Sequence, residues 1–208
     1  MSENWQRRLV TAMKHQEAMR ERQLFAELNP GLAHSPIMKQ APTNPKPAAV
    51  LIPIIDRREG PSVLFTLRTP DMPSHPGQIS FPGGGIKPPD DGPVTTALRE
   101  TQEEVGIPSG AVEVVGQFGV HFGGLGYAVT PVVGIIHPDQ SFDPCPREVA
   151  EIFEVPLEFL LDPTNHIVED RQYKGVDYKM FAVPYQNWRI WGLTAGIIHT
   201  LTNVMAAK

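Results

Sequence analysis

Cysteine is nearly absent from this sequence. Cys145 is the only one in 208 residues, which rules out a disulfide within the chain and fits a reducing compartment. No apolar run approaches the roughly 20 residues needed to cross a bilayer, so no membrane partner is expected. Met1 to Arg8 is polar and charged, without the apolar middle of a signal peptide, and Ala206-Ala207-Lys208 is no organelle address. The cytoplasm is therefore the expected location. Positive charge is also short, with 18 Lys and Arg against 23 Asp and Glu for a net −5. That balance excludes nucleic acid as the expected partner, because binding it needs bases that replace phosphate counterions. An anionic small molecule remains open if local bases or a metal cation hold it.

Proline is abundant. Its 22 residues predict many strand ends and loops and few long helices. A hydrophobic share of 41% and a charged share of 20% are ordinary for a globular chain, and the length fits one domain with an extra terminal segment. Trp5 to Leu28 is rich in helix formers and charges and poor in bulky apolar residues. It reads as a helix packed lightly on the domain or on a second subunit, which hints at a homodimer. Asn29-Pro30-Gly31 ends it, and a proline-rich linker follows. Residues 1–47 thus read as helix and linker, and residues 48–208 as the compact domain.

Within that domain Ala48 to Ile55 and Ser62 to Leu67 read as the strands of a hairpin, turned through Asp56 to Gly60. Pro70 to Gly92 is rich in proline and glycine. Strands are predicted at Ala111 to Phe118, Tyr127 to Ile136, Val149 to Val155 and Tyr178 to Val183, with helices at Leu157 to Leu161 and about Leu193 to Ala206. Strands mixed with a few helices point to a layered α/β sandwich.

Pro93 to Val105 reads as the helix that carries chemistry. Asp91 or Gly92 can cap its start, Pro93 suits the first turn, and Gly106 suits the position after the last. A rotation of about 100° per residue puts Val94, Ala97, Leu98, Thr101 and Val105 on one face and Glu100, Glu103 and Glu104 on another. Arg99 is the base this helix sets beside the three carboxylates, and such a cluster is costly unless a cation lies among the oxygens. Carboxylate oxygen is what Mg²⁺ or Mn²⁺ prefers. Alone, the acids would read as a solvated face. Gly83, Gly84 and Gly85 stand just ahead of the helix, however, and consecutive glycines let the backbone approach a phosphate and aim N–H groups at it.

The stretch from Gly84 to Ile107 resembles the Nudix box, a glycine loop followed by Arg-Glu-x-x-Glu-Glu-x-Gly. Arg99, Glu100, Glu103, Glu104 and Gly106 match it position by position. The loop acid is an aspartate here, and the loop is one residue longer than usual: counted from Gly84 the acid is Asp90, and counted back from Arg99 it is Asp91. The resemblance implies an α/β/α sandwich around a central mixed β-sheet. It also implies that Glu100, Glu103 and Glu104 bind divalent ions while Arg99 orients a glutamate, Glu103 by spacing. The metal would neutralise a diphosphate and lower the pKa of bound water. The general base would be Glu103 or, from a later loop, Glu148.

Leu64 to Thr69, then Gly77 to Gly84, resembles the signature ahead of the box in coenzyme A pyrophosphatases, with echoes at Ala48 to Ile55, Gly126 to Gly134 and Trp191 to Gly196. This implies water attack on the diphosphate of coenzyme A or its thioesters. Where the signature has a second arginine, Pro73 stands instead. Arg68 remains, and His75 and Lys87 are near enough to share recognition of a 3′-phosphate. The loop His121 to Tyr127 offers Tyr127 to an adenine or a pantetheine arm. ADP-ribose, NADH, a nucleotide sugar or a nucleoside triphosphate are rival substrates, and a nucleotide-binding module without turnover is a further alternative.

Overall fold

The computed structural model describes residues 2–14, 21–32, 44–123 and 126–206. Strands β1 (Lys46–Arg57) and β2 (Gly60–Arg68) form the expected hairpin, with Arg57 opposite Gly60 across a tighter turn than the sequence indicates. Neither strand alternates inside and out. Ala49, Leu51, Ile52, Ile54 and Ile55 are all buried, as are Val63, Leu64 and Phe65, so layers cover the sheet on both sides.

One layer is helix α3 (Pro93–Val105), whose Ala97 and Val105 pack with Ala49, Leu51, Ile55, Leu64, Val132 and Ile136. The opposite face carries Ile52, Ile54, Val63 and Phe65 against α4 (Leu157–Leu161) and α5 (Leu193–Ala206), through Leu160, Ile197, Ile198 and Leu201. Leu9 and Met13 of α1 (Ser2–Lys14) are buried in this second core. The helix therefore packs on its own domain, and more firmly than its few apolar residues predict. Truncating one such buried side chain to alanine costs about 2–5 kcal/mol.

The main sheet is mixed. Its path runs from β3 (Ile79–Ser80) through β2 and β1 to β7 (Tyr127–Ile136) and β5 (Val112–Gln117). Among the described residues only the β1–β7 pairing is parallel; β8 (Val149–Pro156) joins β2, β6 (His121–Gly123) joins β7, and β4 (Gly83–Gly85) joins β1, all antiparallel. This is the α/β/α sandwich with a central mixed sheet that the box resemblance implies. A second, antiparallel sheet orders β11 (Trp188–Trp191), β10 (Val176–Tyr185) and β9 (Ile167–Tyr173). The sequence pattern gives only the middle strand of the three.

The long N-terminal helix is described as two, α1 and α2 (Glu21–Leu28), and residues 15–20 between them lie outside the described residues, as do 33–43 of the expected linker. Asn29 ends α2 as expected and does more: its Nδ2 donates to the carbonyls of Phe25 and Lys179, both at 2.9 Å, and its Oδ1 accepts from the Lys179 amide at 2.6 Å. Among the described residues no helix is long and apolar enough to cross a membrane.

Candidate active site

Strand β4 is where the glycines become structure. Gly83 pairs with Val50 and Gly85 with Ala48, laying the triple glycine between β1 and α3. A Cβ on Gly83 would come within 2.4 Å of the Ala49 carbonyl oxygen and 2.7 Å of the Val50 Cα. On Gly84 it would meet the Glu100 carboxylate at 2.6–2.8 Å. Close approach of backbone to backbone requires glycine at position 83, and the bare backbone at position 84 leaves the Glu100 carboxylate its place.

Arg99 organises the helix side. Its Nε and Nη2 donate to the two oxygens of Asp90 at 2.9 and 2.8 Å, and its Nη1 donates to Glu100 at 2.6 Å and Glu103 at 3.1 Å. Asp90 also accepts from the Thr96 hydroxyl at 2.9 Å and the Lys87 amide at 3.2 Å. The Arg99 guanidinium first, then these hydrogen bonds, hold its carboxyl well below the usual range. Of the two loop acids the sequence leaves open, Asp90 is therefore the arginine's partner, and Asp91 is exposed. Gly92 caps the helix: its amide bonds the Thr95 hydroxyl at 3.1 Å, and Gly106 closes the far end at φ 76°.

The three helix carboxylates do not share one environment. Glu103 is 52% exposed and Glu100 13%, whereas Glu104 is only 4% exposed. Glu104 sits one turn beyond the buried Thr101, at the border of the face turned to the sheet. Burial, with Glu100 and Glu148 adding negative potential, pushes its carboxyl up to about 8, although Arg68 and the Gly83 amide oppose the shift. The Gly83 amide lies 3.4 Å from one Glu104 oxygen, and Arg68 Nη1 lies 3.8 Å from the other. Lys87 Nζ approaches Glu100 at 4.0 Å and Glu103 at 3.8 Å.

Glu148 reaches the same place from the far side of the chain. Backbone bonds from Asp143 to the Val105 carbonyl and from Cys145 to the Glu104 carbonyl, both 2.9 Å, tie its loop to the end of α3. The Thr69 amide donates to the Glu148 carbonyl at 3.0 Å, so Arg68 and Glu148 are held side by side. His75 stands at the tip of the loop after β2, its Nδ1 2.8 Å from the Gln78 side chain, and Arg68 Nε bonds the Ser74 carbonyl at 3.4 Å. Tyr127 begins β7 opposite Gly123 and beside Lys46; no bond among the described residues joins it to the carboxylates. Gly124 and Leu125 of that loop lie outside the described residues.

The structure thus brings together Arg68, Gly83, Gly84, Gly85, Lys87, Arg99, Glu100, Glu103, Glu104 and Glu148. It adds Asp90 as the group that fixes Arg99. No sequence signal reports the ties of Asp143 and Cys145 to the helix end, because they are backbone bonds between distant segments. Among the described residues no group of three His, Cys, Asp or Glu side chains stands close enough to hold an ion; Arg99 and Lys87 lie against Glu100 and Glu103.

In this α/β/α sandwich a glycine strand abuts an acidic helix, with Arg68, Lys87 and Arg99 alongside. The NUDIX domain family model matches residues 45–174, and the chain belongs to the Nudix hydrolase family. It is 43% identical over 173 residues to a protein of Enterobacter sp. (strain 638) named "Uncharacterized Nudix hydrolase NudL", spanning 83% of this chain and 90% of that one. A protein of the same name from Escherichia coli O7:K1 (strain IAI39 / ExPEC) is 39% identical over 173 residues, again 83% of this chain and 90% of that one. Among solved structures the fold is similar to RenU, a Nudix hydrolase from M. smegmatis, with a TM-score of 0.52, 19% identity, and 78% and 87% of the two chains covered.

Proposed function

We propose that this chain hydrolyses the diphosphate linkage of coenzyme A or its thioesters with a divalent cation, Mg²⁺ or Mn²⁺. The products would be 4′-phosphopantetheine (or its acyl form) and adenosine 3′,5′-bisphosphate. The observation that carries this reading is the meeting of Arg68 and Gly83 on Glu104. The two halves of the sequence signature, Leu64 to Thr69 and Gly77 to Gly84, pair as β2 and β3 and deliver their functional ends to the same carboxylate.

The donor set fits a hard divalent cation, because every available ligand is a carboxylate oxygen. Burial presses Glu104 toward its protonated form while Glu100 and Glu148 add like charge, and a cation relieves both. Glu100, Glu103 and Glu104 would hold it. When bound, such an ion neutralises the diphosphate and makes water more acidic. The chain's own groups do the rest. Asp90 locks Arg99, and Arg99 keeps Glu100 and Glu103 in place. The Gly83 to Gly85 backbone and Lys87 receive the diphosphate, with Arg68 and His75 toward the 3′-phosphate and Tyr127 toward the organic arm. Glu103 or Glu148 takes the proton from the attacking water. Positioning and charge neutralisation supply most of the rate.

Pro73 favours a second reading, in which the same chemistry acts on another nucleoside diphosphate derivative such as ADP-ribose or NADH. It occupies an exposed loop position where the coenzyme A signature has an arginine. One turnover assay separates the readings: coenzyme A, dephospho-coenzyme A, ADP-ribose, NADH and ATP, each with Mg²⁺ or Mn²⁺. Coenzyme A is expected to be cut well ahead of the others, and Pro73→Arg should tighten coenzyme A without changing dephospho-coenzyme A. Glu103→Gln should keep the fold and lose most turnover with every substrate. Near-normal activity in that variant overturns the mechanism, and preference for another compound overturns the substrate.

A further inference from the structure

Among the described residues strand β9 is an edge of the smaller sheet. It is paired with β10 on one side, and three of its apolar residues are conspicuously exposed: Ile167, Val168 and Tyr173, at 41%, 48% and 49%. Such an edge is a template for another strand unless something blunts it, and β9 holds no proline and no bulge in its register.

The phase of its hydrogen bonds can be read twice over. The turn Lys174-Gly175, with φ of 49° and 78°, is a two-residue hairpin with Tyr173 opposite Val176. Residues flanking such a turn exchange both backbone bonds, and alternate residues follow. Tyr173, Arg171, Glu169 and Ile167 thus bond to β10, while Gln172, Asp170 and Val168 turn their N–H and C=O outward. Independently, Lys179 stands opposite Asp170, yet its amide and carbonyl are taken by Asn29 on the far side of β10. The Asp170–Lys179 pair is therefore the non-bonded kind, which also leaves the backbone of Asp170 facing out.

We propose that two copies of this chain associate by antiparallel pairing of β9 with β9, centred on Asp170. In that register every outward backbone group meets an outward group of the second copy: Asp170 faces Asp170, and Val168 faces Gln172. The intervening pairs, whose side chains approach closest in an antiparallel ladder, are Glu169 with Arg171 and Ile167 with Tyr173. Opposite charges and apolar groups meet on both sides of the dyad, so the strand complements itself. The like charges at the centre are offset within each copy by Lys179 Nζ, 2.7 Å from Asp170. Moving the centre to Arg171 would set that arginine against itself.

The test is the mass of the full chain by light scattering across a wide concentration range. A dimer is expected. Asp170→Pro removes an outward N–H, a change an edge strand tolerates, together with the exposed ion pair to Lys179, and should raise the dimer dissociation constant about tenfold or more. Arg171→Glu and Glu169→Arg should each be monomeric alone and should pair when mixed, because unlike charges then face one another throughout. If either charge variant misfolds, Asp170→Cys in a Cys145→Ser background should form a symmetric disulfide dimer on mild oxidation. A chain that stays monomeric throughout overturns the proposal. A dimer indifferent to Asp170→Pro, or an Asp170→Cys chain that fails to cross-link, overturns it by placing the contact elsewhere.

Discussion

At Gly84 the presence or absence of one methyl group separates activity from stability. Its Cβ would fall 2.6–2.8 Å from the carboxylate of Glu100, the mobile end of a side chain. The acid can swing aside, so Gly84→Ala should change stability by less than about 1 kcal/mol. The swing would take Glu100 off Arg99, and turnover should fall by about tenfold or more. Gly83→Ala meets instead the backbone of Ala49 and Val50 at 2.4 and 2.7 Å, which cannot move without opening the β1–β4 pairing. Its cost should appear as about 1–3 kcal/mol of unfolding free energy. Denaturant titration and turnover on both variants check the contrast; full activity in Gly84→Ala would mean that Glu100 has no part in the reaction. The sequence alone identifies Glu100, Glu103, Glu104 and Arg99, because helical spacing fixes their neighbourhood. It does not separate Asp90 from Asp91, or Glu104 from the other two acids. Those distinctions depend on where the sheet lies, and the helix period carries no such information.

Between elements, the junction of β6 with α5 carries the clearest pH dependence. His121 is fully buried, its Nδ1 2.7 Å from the Gly119 carbonyl and its Nε2 2.9 Å from the Thr200 hydroxyl. Burial drives it down to about 4 from an ordinary 6.5. The folded state therefore prefers the neutral ring. The resulting stability is present in full above the unfolded value of 6.5 and is lost as pH falls through about 4, to a total of about 3 kcal/mol. Glu104 runs the other way, since its raised carboxyl favours the fold at low pH and loses that favour as pH rises toward 8. The readout is accordingly the difference between wild type and His121→Gln. In chemical unfolding between pH 7 and pH 4.5, wild type should lose about 2 kcal/mol relative to the variant as pH falls; parallel profiles would mean the ring is not buried as described. The elements themselves differ in how legible they are. β1, β2, β7 and α3 stand out because buried runs and an amphipathic stripe are strong signals. β9 and β11 have mixed, half-exposed residues whose strand state comes from pairing with β10. β3 and β4 are too short to carry a period at all.

For the molecule as a whole, the open question is where the folded unit begins. The family match starts at residue 45, and composition draws the same line by marking residues 1–47 as helix and linker. The packing argues otherwise. Leu9 and Met13 lie in the core shared by β1, β2 and α5, at 1% and 8% exposure. Gly116 of β5 sits directly under Met13, with the methionine Cε only 3.2 Å from where a Cβ would be, so the bare strand provides the seat for the helix. The charges that made this helix look superficial occupy its outer side, and two buried side chains suffice to anchor it. Leu9→Ala should then cost about 2–5 kcal/mol, lowering the melting temperature by roughly 4–20 °C at about 2–4 °C per kcal/mol for a chain of this size. A chain beginning at residue 45 should lose more, because deletion uncovers Gly116, Phe118 and the flank of α5 together. Calorimetry on both decides the matter. An unchanged melting temperature in Leu9→Ala would return residues 1–47 to the status of a separable appendage. The expected loss would make the N-terminal helix a structural part of the catalytic domain, and the folded unit would then be larger than the stretch the family shares.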